Sequence, residues 1–437
     1  MSLQGHSANQ ATKDVLSSGA ADSKALAAIT EQWCADIPPG TAAPLKVHYT
    51  ERPGAAHGRR FYPDVSGWAA SHNPYVWSEY IDPSAGVMRL VFGAASKLHA
   101  RDDYPRLVAL NAPNRRPEAY FEEICTHSQR RADFTDVKTG APETGYVLDL
   151  LQERDTHVVE LLTSTGDAYH PVTGEPIRAL TCEGLLRDTP LVGFTREILR
   201  RLADAAGRPV ELHFALQLGD RDGAILWTPR ELRPAETPPE PHPVQGRILL
   251  TSSGFTLGRS RLARFERAVY ISPAQYSPLS LSNRYELARL LGRLRRAFGD
   301  SPWILIGPGR WGTSSPELGI PVRFAEINGA GILIELAEMH DTLTPEVALG
   351  THFLNDIVSH DILCAAILSG REGHRADGTY FEEMPNELAR IMPGMESWAS
   401  VVRVVEARAC GGEAFVVWAD AVQRRMICAI EFGRGRG

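Results

Sequence analysis

The sequence contains no Cys-x-x-Cys pair, no apolar run long enough to cross a bilayer and no excess of basic charge. Six scattered cysteines (Cys34, Cys125, Cys182, Cys364, Cys410, Cys428) argue against a zinc knuckle or a disulfide framework, and for a reducing cytoplasm. No stretch approaches about 18 uncharged apolar residues, so no membrane span is expected. The polar opening Met1-Ser2-Leu3-Gln4 has no apolar signal-peptide core. Lys and Arg number 46 against 53 Asp and Glu, a net charge of -7, which gives no electrostatic reason to expect nucleic acid. Arg293, Arg295 and Arg296 read as a solvated helix face, and the Arg-Gly tail at 433–437 as a disordered end. There is no fixed-period repeat. No Gly-x-Ser-x-Gly elbow accompanies the adjacent pairs His340-Asp341 and His360-Asp361, which carry little meaning alone.

What remains is a 437-residue chain that is 43% hydrophobic, enough for two or three domains with their own cores. Residues 1–39 read as a poorly ordered segment with a short helix at 23–35. Residues 40–235 read as a first α/β domain. Within it, 45–49 and 87–93 are strand-like, 184–205 is helical, and 210–218 with 224–227 form strands joined by a Gly-Asp-Arg-Asp-Gly hairpin turn. Five prolines between Pro234 and Gly246 mark a linker at 236–246, since proline continues neither a helix nor a central strand. Residues 247–437 read as a second domain. Its expected elements are strands at 268–271, 303–306 and 331–336, helices at 283–298 and 350–368, and a terminal antiparallel set at 401–407, 414–419 and 426–432. The expected fold class is α/β, or α+β.

Three stretches carry chemistry. The first is residues 61–74 (FYPDVSGWAASHNP) followed by 86–96 (GVMRLVFGAAS). A strand ending in small residues such as Gly93 and Ser96 lets backbone N–H groups approach an anion; the plain alternative is a tight turn. The second is 209–215 (PVELHFA) with 226–230 (LWTPR). Strand alternation places Glu211 on the same face as His213, so Glu211 is a candidate metal ligand. The third is 305–322 (LIGPGRWGTSSPELGIPV), with 350–356 (GTHFLND) as its companion. A buried strand running into a glycine loop that offers Arg310, Trp311, Thr313 and Ser314 beside Gly309 suits a phosphate or carboxylate. The alternative is a structural loop in which Arg310 pairs with an acid such as Glu335.

Together these stretches resemble the ATP-grasp domain and adjoining region of phosphoenolpyruvate synthases and pyruvate phosphate dikinases. The likeness is closest to a bacterial subgroup of phosphoenolpyruvate/pyruvate-binding proteins. It covers most of residues 45–430. The resemblance implies an ATP-grasp-like lobe at 40–235, ATP and Mg²⁺ as cofactors, and an ATP-dependent phosphotransferase reaction on a small anionic acceptor. The family pattern "G-L-G-T" aligns with Gly93 and Ser96. "P-V-E-I-E-F-A" aligns with 209–215, with His213 in place of the second Glu. "L-Q-x-R-P" is matched to Leu226 onwards, with Thr228 in place of the Gln and Arg230 as the phosphate-contacting Arg. Imidazole suits magnesium poorly, which leaves Glu211 as the metal ligand the resemblance points to. His352 corresponds loosely to the phosphate-shuttling histidine of such enzymes, the plainer alternative being a neutral histidine that hydrogen-bonds a ligand or a loop carbonyl; Arg310 with His352 are the catalytic candidates. No match exists to the family's upstream lobe with its phosphate-binding lysine. A second chain would then supply that lobe, or the protein is a catalytically degenerate binding or regulatory protein.

Overall fold

The computed structural model describes residues 47–48, 54–94, 103–118, 120–169, 174, 176–219, 225–235, 246–338 and 353–432. The helix at 23–35, residues 220–223 of the hairpin turn, Ser96 and His352 lie outside them. The fold mixes helices with several sheets, an α+β arrangement. Two compact units divide the chain: Met1–Asn73 with Ser78–Ala235, and Pro74–Trp77 with Glu236–Gly437. Among the described residues no helix is long and apolar enough to cross a membrane.

The first unit is built on a six-stranded, wholly antiparallel sheet. Its spatial order is Val47–His48, Ile225–Pro234, Val210–Leu218, Val65–Ala70, Val87–Phe92, Arg106–Ala109. Alternation along the central strand is complete. Val210, Leu212, Phe214, Leu216 and Leu218 enter one apolar core with Val65, Ala69, Met88, Leu90 and Phe92. Helix Leu191–Ala206 contributes Leu191, Phe194, Ile198, Leu199 and Leu202 to that core, a 3–4 residue spacing that makes a single stripe. The helix expected over 184–205 is in fact two, Glu183–Arg187 and Leu191–Ala206, parted at Pro190. A separate antiparallel sheet of Ala55–His57, Arg60–Tyr62, Arg131–Asp136 and Pro142–Tyr146 completes the unit's larger sheets.

The central pairing is clamped at both ends. Ser71 Oγ accepts from the Val210 N–H at 2.9 Å. At the other end Asp64, fully buried, accepts from the Leu218 N–H at 2.7 Å and from Gln217 Nε2 at 2.5 Å, and pairs with the buried Arg154 guanidinium. Arg154 in turn donates to the Leu218 carbonyl at 3.3 Å. Paired charges, not lone ones, are tolerated at such depth.

The second unit has a six-stranded sheet ordered Thr256–Leu257, Leu363–Leu368, Ala330–Ala337, Trp303–Pro308, Arg267–Ile271, Val402–Glu406. The middle four strands are parallel and lie side by side in sequence order; both edges are antiparallel. One face packs Ile304, Ile306, Ile332, Ile334, Ala365 and Ile367 against Phe415, Val417, Met426 and Cys428 of a five-stranded antiparallel sheet. Parallel crossovers are right-handed, so a monotonic strand order sends all of them over the same, opposite face. Helix Leu281–Phe298 is such a crossover: Ser280 caps it, Leu287, Leu291 and Leu294 are buried, and Phe298 meets the Trp303 ring edge-on at 5.4 Å. The order never reverses, so this sheet has no switch-point crevice of the doubly wound kind.

Two expectations are corrected here. Residues 350–368 are not one helix: Leu354–Ser359 is helical, while Leu363–Leu368 is an interior parallel strand. The terminal antiparallel set is also split. Ala414–Asp420 pairs with Arg425–Glu431, but Val402–Glu406 edges the parallel sheet.

Replacing Arg154 with Met strands the Asp64 carboxylate in the core. It is expected to cost about 3–5 kcal/mol, read as a fall in the urea midpoint of the native chain. A loss below about 1 kcal/mol would contradict the clamp.

Candidate functional site

The face of the first sheet turned away from its core carries a polar group at its centre, flanked by buried apolar residues such as Val87, Val91 and Leu107. Register places Ser66, Trp68 and Ala70 beside Ala215, His213 and Glu211, with Arg89 opposite Trp68. Across the other edge stand Arg233 opposite Glu211, Glu231 opposite His213 and Thr228 opposite Ala215. Glu211 and His213 therefore share a face, as their spacing predicts. The Glu211 side chain is 6% exposed. Its Oε2 accepts from Trp68 Nε1 at 3.1 Å and from Arg233 Nε at 3.2 Å. The same guanidinium reaches His213: Arg233 Nη2 lies 2.9 Å from His213 Nε2. Arginine only donates, so Nε2 of this imidazole accepts. Arg233 is thus the hinge of the group, holding a carboxylate with one nitrogen and an imidazole with another.

The residues expected to handle a nucleotide fall differently. Arg230 is exposed and sits in a β-bulge, where the register slips between His213/Glu231 and Phe214/Pro229. Thr228 is half-buried on the polar face. Arg233 and Trp68 were missed. The available signal was the order of two residues: the family pattern closes on Arg-Pro, which in this strand is Arg233-Pro234, whereas Pro229-Arg230 is reversed. Shifting the match by three residues puts Glu231 at the Gln position. Gly93 has φ +78°, and a Cβ there would lie 3.0 Å from the Asp133 carbonyl. The N–H groups of Gly93 and Ala94 donate to the Asp64 and Asp133 carbonyls at 3.4 and 2.9 Å. They are committed to the fold, and close backbone approach accounts for the glycine.

The magnesium ion that the resemblance implies would seek several oxygen ligands in near-octahedral array. Here Glu211 is already bound by an indole and a guanidinium, and His213 offers nitrogen that is itself engaged. Among the described residues no group of three or more His, Cys, Asp or Glu could hold a metal ion. These residues do not fit magnesium.

In the second unit, the loop after Trp303–Pro308 is bound into the fold by its own glycines. Gly309 has φ +66°, and a Cβ there would fall 2.1 Å from the Leu318 carbonyl; one on Gly307 would meet the Trp311 ring at 2.7 Å. Trp311 is fully buried, with Nε1 donating to the Ile334 carbonyl at 3.2 Å. The expected free N–H groups are in use. Gly309 donates to Leu336 at 2.9 Å, Arg310 to Leu318 at 3.3 Å and Gly312 to Ile320 at 2.9 Å. Thr313 Oγ1 closes a small turn, accepting from the Ser315 N–H at 3.0 Å and donating to its carbonyl at 3.1 Å. Ser314 is exposed and Arg310 half-buried, on the side opposite Trp311 by alternation. Glu335 is fully buried, flanked across the sheet by Gly307 and Ala366.

No protein-family model matches the chain, and no curated protein sequence matches it.

Because Trp311 fastens the loop and Ser314 does not, the two should separate on substitution. Trp311→Ala is expected to cost about 3–5 kcal/mol in chemical unfolding, and Ser314→Ala less than about 0.5 kcal/mol. Equal effects would contradict the packing role.

Proposed function

We propose that the chain is a ligand-binding protein of phosphoenolpyruvate-synthase and dikinase kinship. It keeps an ATP-grasp-like lobe and holds a small anion against the polar face of the first sheet. The observation that carries this reading is Arg233. A guanidinium poised by Glu211 and His213 on a half-buried face, beside the Trp68 indole, is a preorganised anion contact. In the second unit Arg310 and Ser314 are the side chains through which a phosphorylated or carboxylated compound would be recognised.

The phosphotransferase reading rests on the motifs. It needs ATP with Mg²⁺ and a lysine-bearing lobe, because phosphoryl transfer depends on electrostatic stabilisation of the transferred group. The donor set around Glu211 favours binding over that chemistry.

Calorimetric titration of the full chain with inorganic phosphate tests the proposal. Binding is expected in the native protein and at least about tenfold weaker in Arg233→Ala, in line with the loss of a charged hydrogen bond, with thermal unfolding confirming that the variant is folded. Equal affinities for the two proteins would reject the site. Release of ADP or AMP from ATP by the native chain alone would reject the non-catalytic reading.

A further inference from the structure

From the mismatch between Glu211 and magnesium we infer that this site takes its anion without a divalent cation, and that the anion is a small oxyanion of one or two charges. The inference rests on the anion-binding reading above and narrows it.

Formal charge is the first ground. Among the described side chains, the ionisable ones that register brings together on this part of the face are Arg89 and Arg233 against Glu211 and Glu231, with His213 between them. The cations and carboxylates cancel. A triphosphate carries about four negative charges, and in a site of lowered dielectric such charge needs compensation that a balanced set does not supply. A metal ion would provide it, but at Glu211 it would compete with the Arg233 guanidinium, whose Nε lies 3.2 Å from Oε2.

Geometry is the second ground. Arg233 spends Nε on Glu211 and Nη2 on His213. Its Nη1 makes no hydrogen bond among the described residues, and the side chain is 41% exposed. The side-on edge through Nε is spent, and Nη1 with the second hydrogen of Nη2 leaves the end-on edge for one small carboxylate or phosphomonoester. The guanidinium is a tethered cation, always charged and needing no loading.

The test is calorimetry on the full chain with inorganic phosphate and with ATP, each in EDTA and in millimolar MgCl₂. Phosphate affinity is expected to differ less than about twofold between the two buffers, and ATP to bind no more tightly than phosphate in either. ATP binding that strengthens tenfold or more with Mg²⁺ would overturn the inference and leave the anion site standing. Absence of binding by both anions in both buffers would overturn the anion site and the inference with it. A second variant isolates the cause. His213→Glu returns a carboxylate beside Glu211, and ATP is expected to gain at least tenfold from Mg²⁺ in that protein. If the folded variant shows no gain, the imidazole is not what excludes the metal.

Discussion

Two-residue alternation along Val210–Leu218 governs the first unit. Five apolar side chains of this strand enter the core, and Glu211, His213 and Gln217 face the other way. A slip of one residue would exchange the two sets, burying a carboxylate, an imidazole and an amide among leucines. Each such group costs several kcal/mol without partners. The clamps at Ser71 and Asp64 hold the register against that exchange at both ends of the strand. The polar face is a consequence: once the apolar set is inward, register alone brings Trp68, Arg89, Arg233 and Glu231 alongside Glu211 and His213.

The second unit obeys a packing constraint of another kind. Its most conspicuous motif looks from sequence like an open glycine loop. Each of its glycines instead yields space to a neighbour: Gly307 to the Trp311 indole, Gly309 to the Leu318 backbone, Gly312 to the Phe353 ring and Gly319 to the Arg310 backbone. Side-chain-free positions let the backbone approach a ligand or another backbone equally well, and here they let the short Arg310–Trp311 and Gly319–Ile320 strands pair. The buried indole fixes the loop to the parallel sheet through the Ile334 carbonyl.

Much of the architecture was legible. The strands Val87–Phe92, Val210–Leu218, Trp303–Pro308 and Ala330–Ala337 and the helix Leu281–Phe298 fall within a few residues of the periodicity reading, because length, caps and alternation agree there. The run Leu363-Cys364-Ala365-Ala366-Ile367-Leu368 deceived because an interior parallel strand, apolar on both faces, has no period to distinguish it from a buried helix. Sheet membership was not legible for Val402–Glu406, since nothing local says which edge a strand will join. Within the site, Glu211 and His213 were legible as partners on one face. Arg233 was marked only by the Arg-Pro order at 233–234; a bulge at Arg230 shifts the register of Ile225–Pro234, and the pairing settles which arginine lies opposite Glu211. The Asp64–Arg154 pair joins residues 90 apart in sequence, beyond the reach of any local pattern.

The chemistry of the polar face follows from the depth of Glu211. A carboxylate that buried must be neutralised, and three kinds of group could do it: a proton, a metal ion or a cationic side chain. The fold provides the third, delivered from the adjacent strand at the paired position, and reinforces it with the Trp68 indole. That choice propagates. Arg233 obliges Nε2 of His213 to accept, so the imidazole in its present contact supports the guanidinium instead of coordinating an ion. For magnesium to enter, it would have to shed part of a tightly held water shell, displace Arg233 and leave His213 without its donor. Three coupled losses oppose one gain, and taking the cationic partner from a buried carboxylate is the costly direction. Residue 213 takes part in this balance: its imidazole accepts from the guanidinium that already neutralises Glu211.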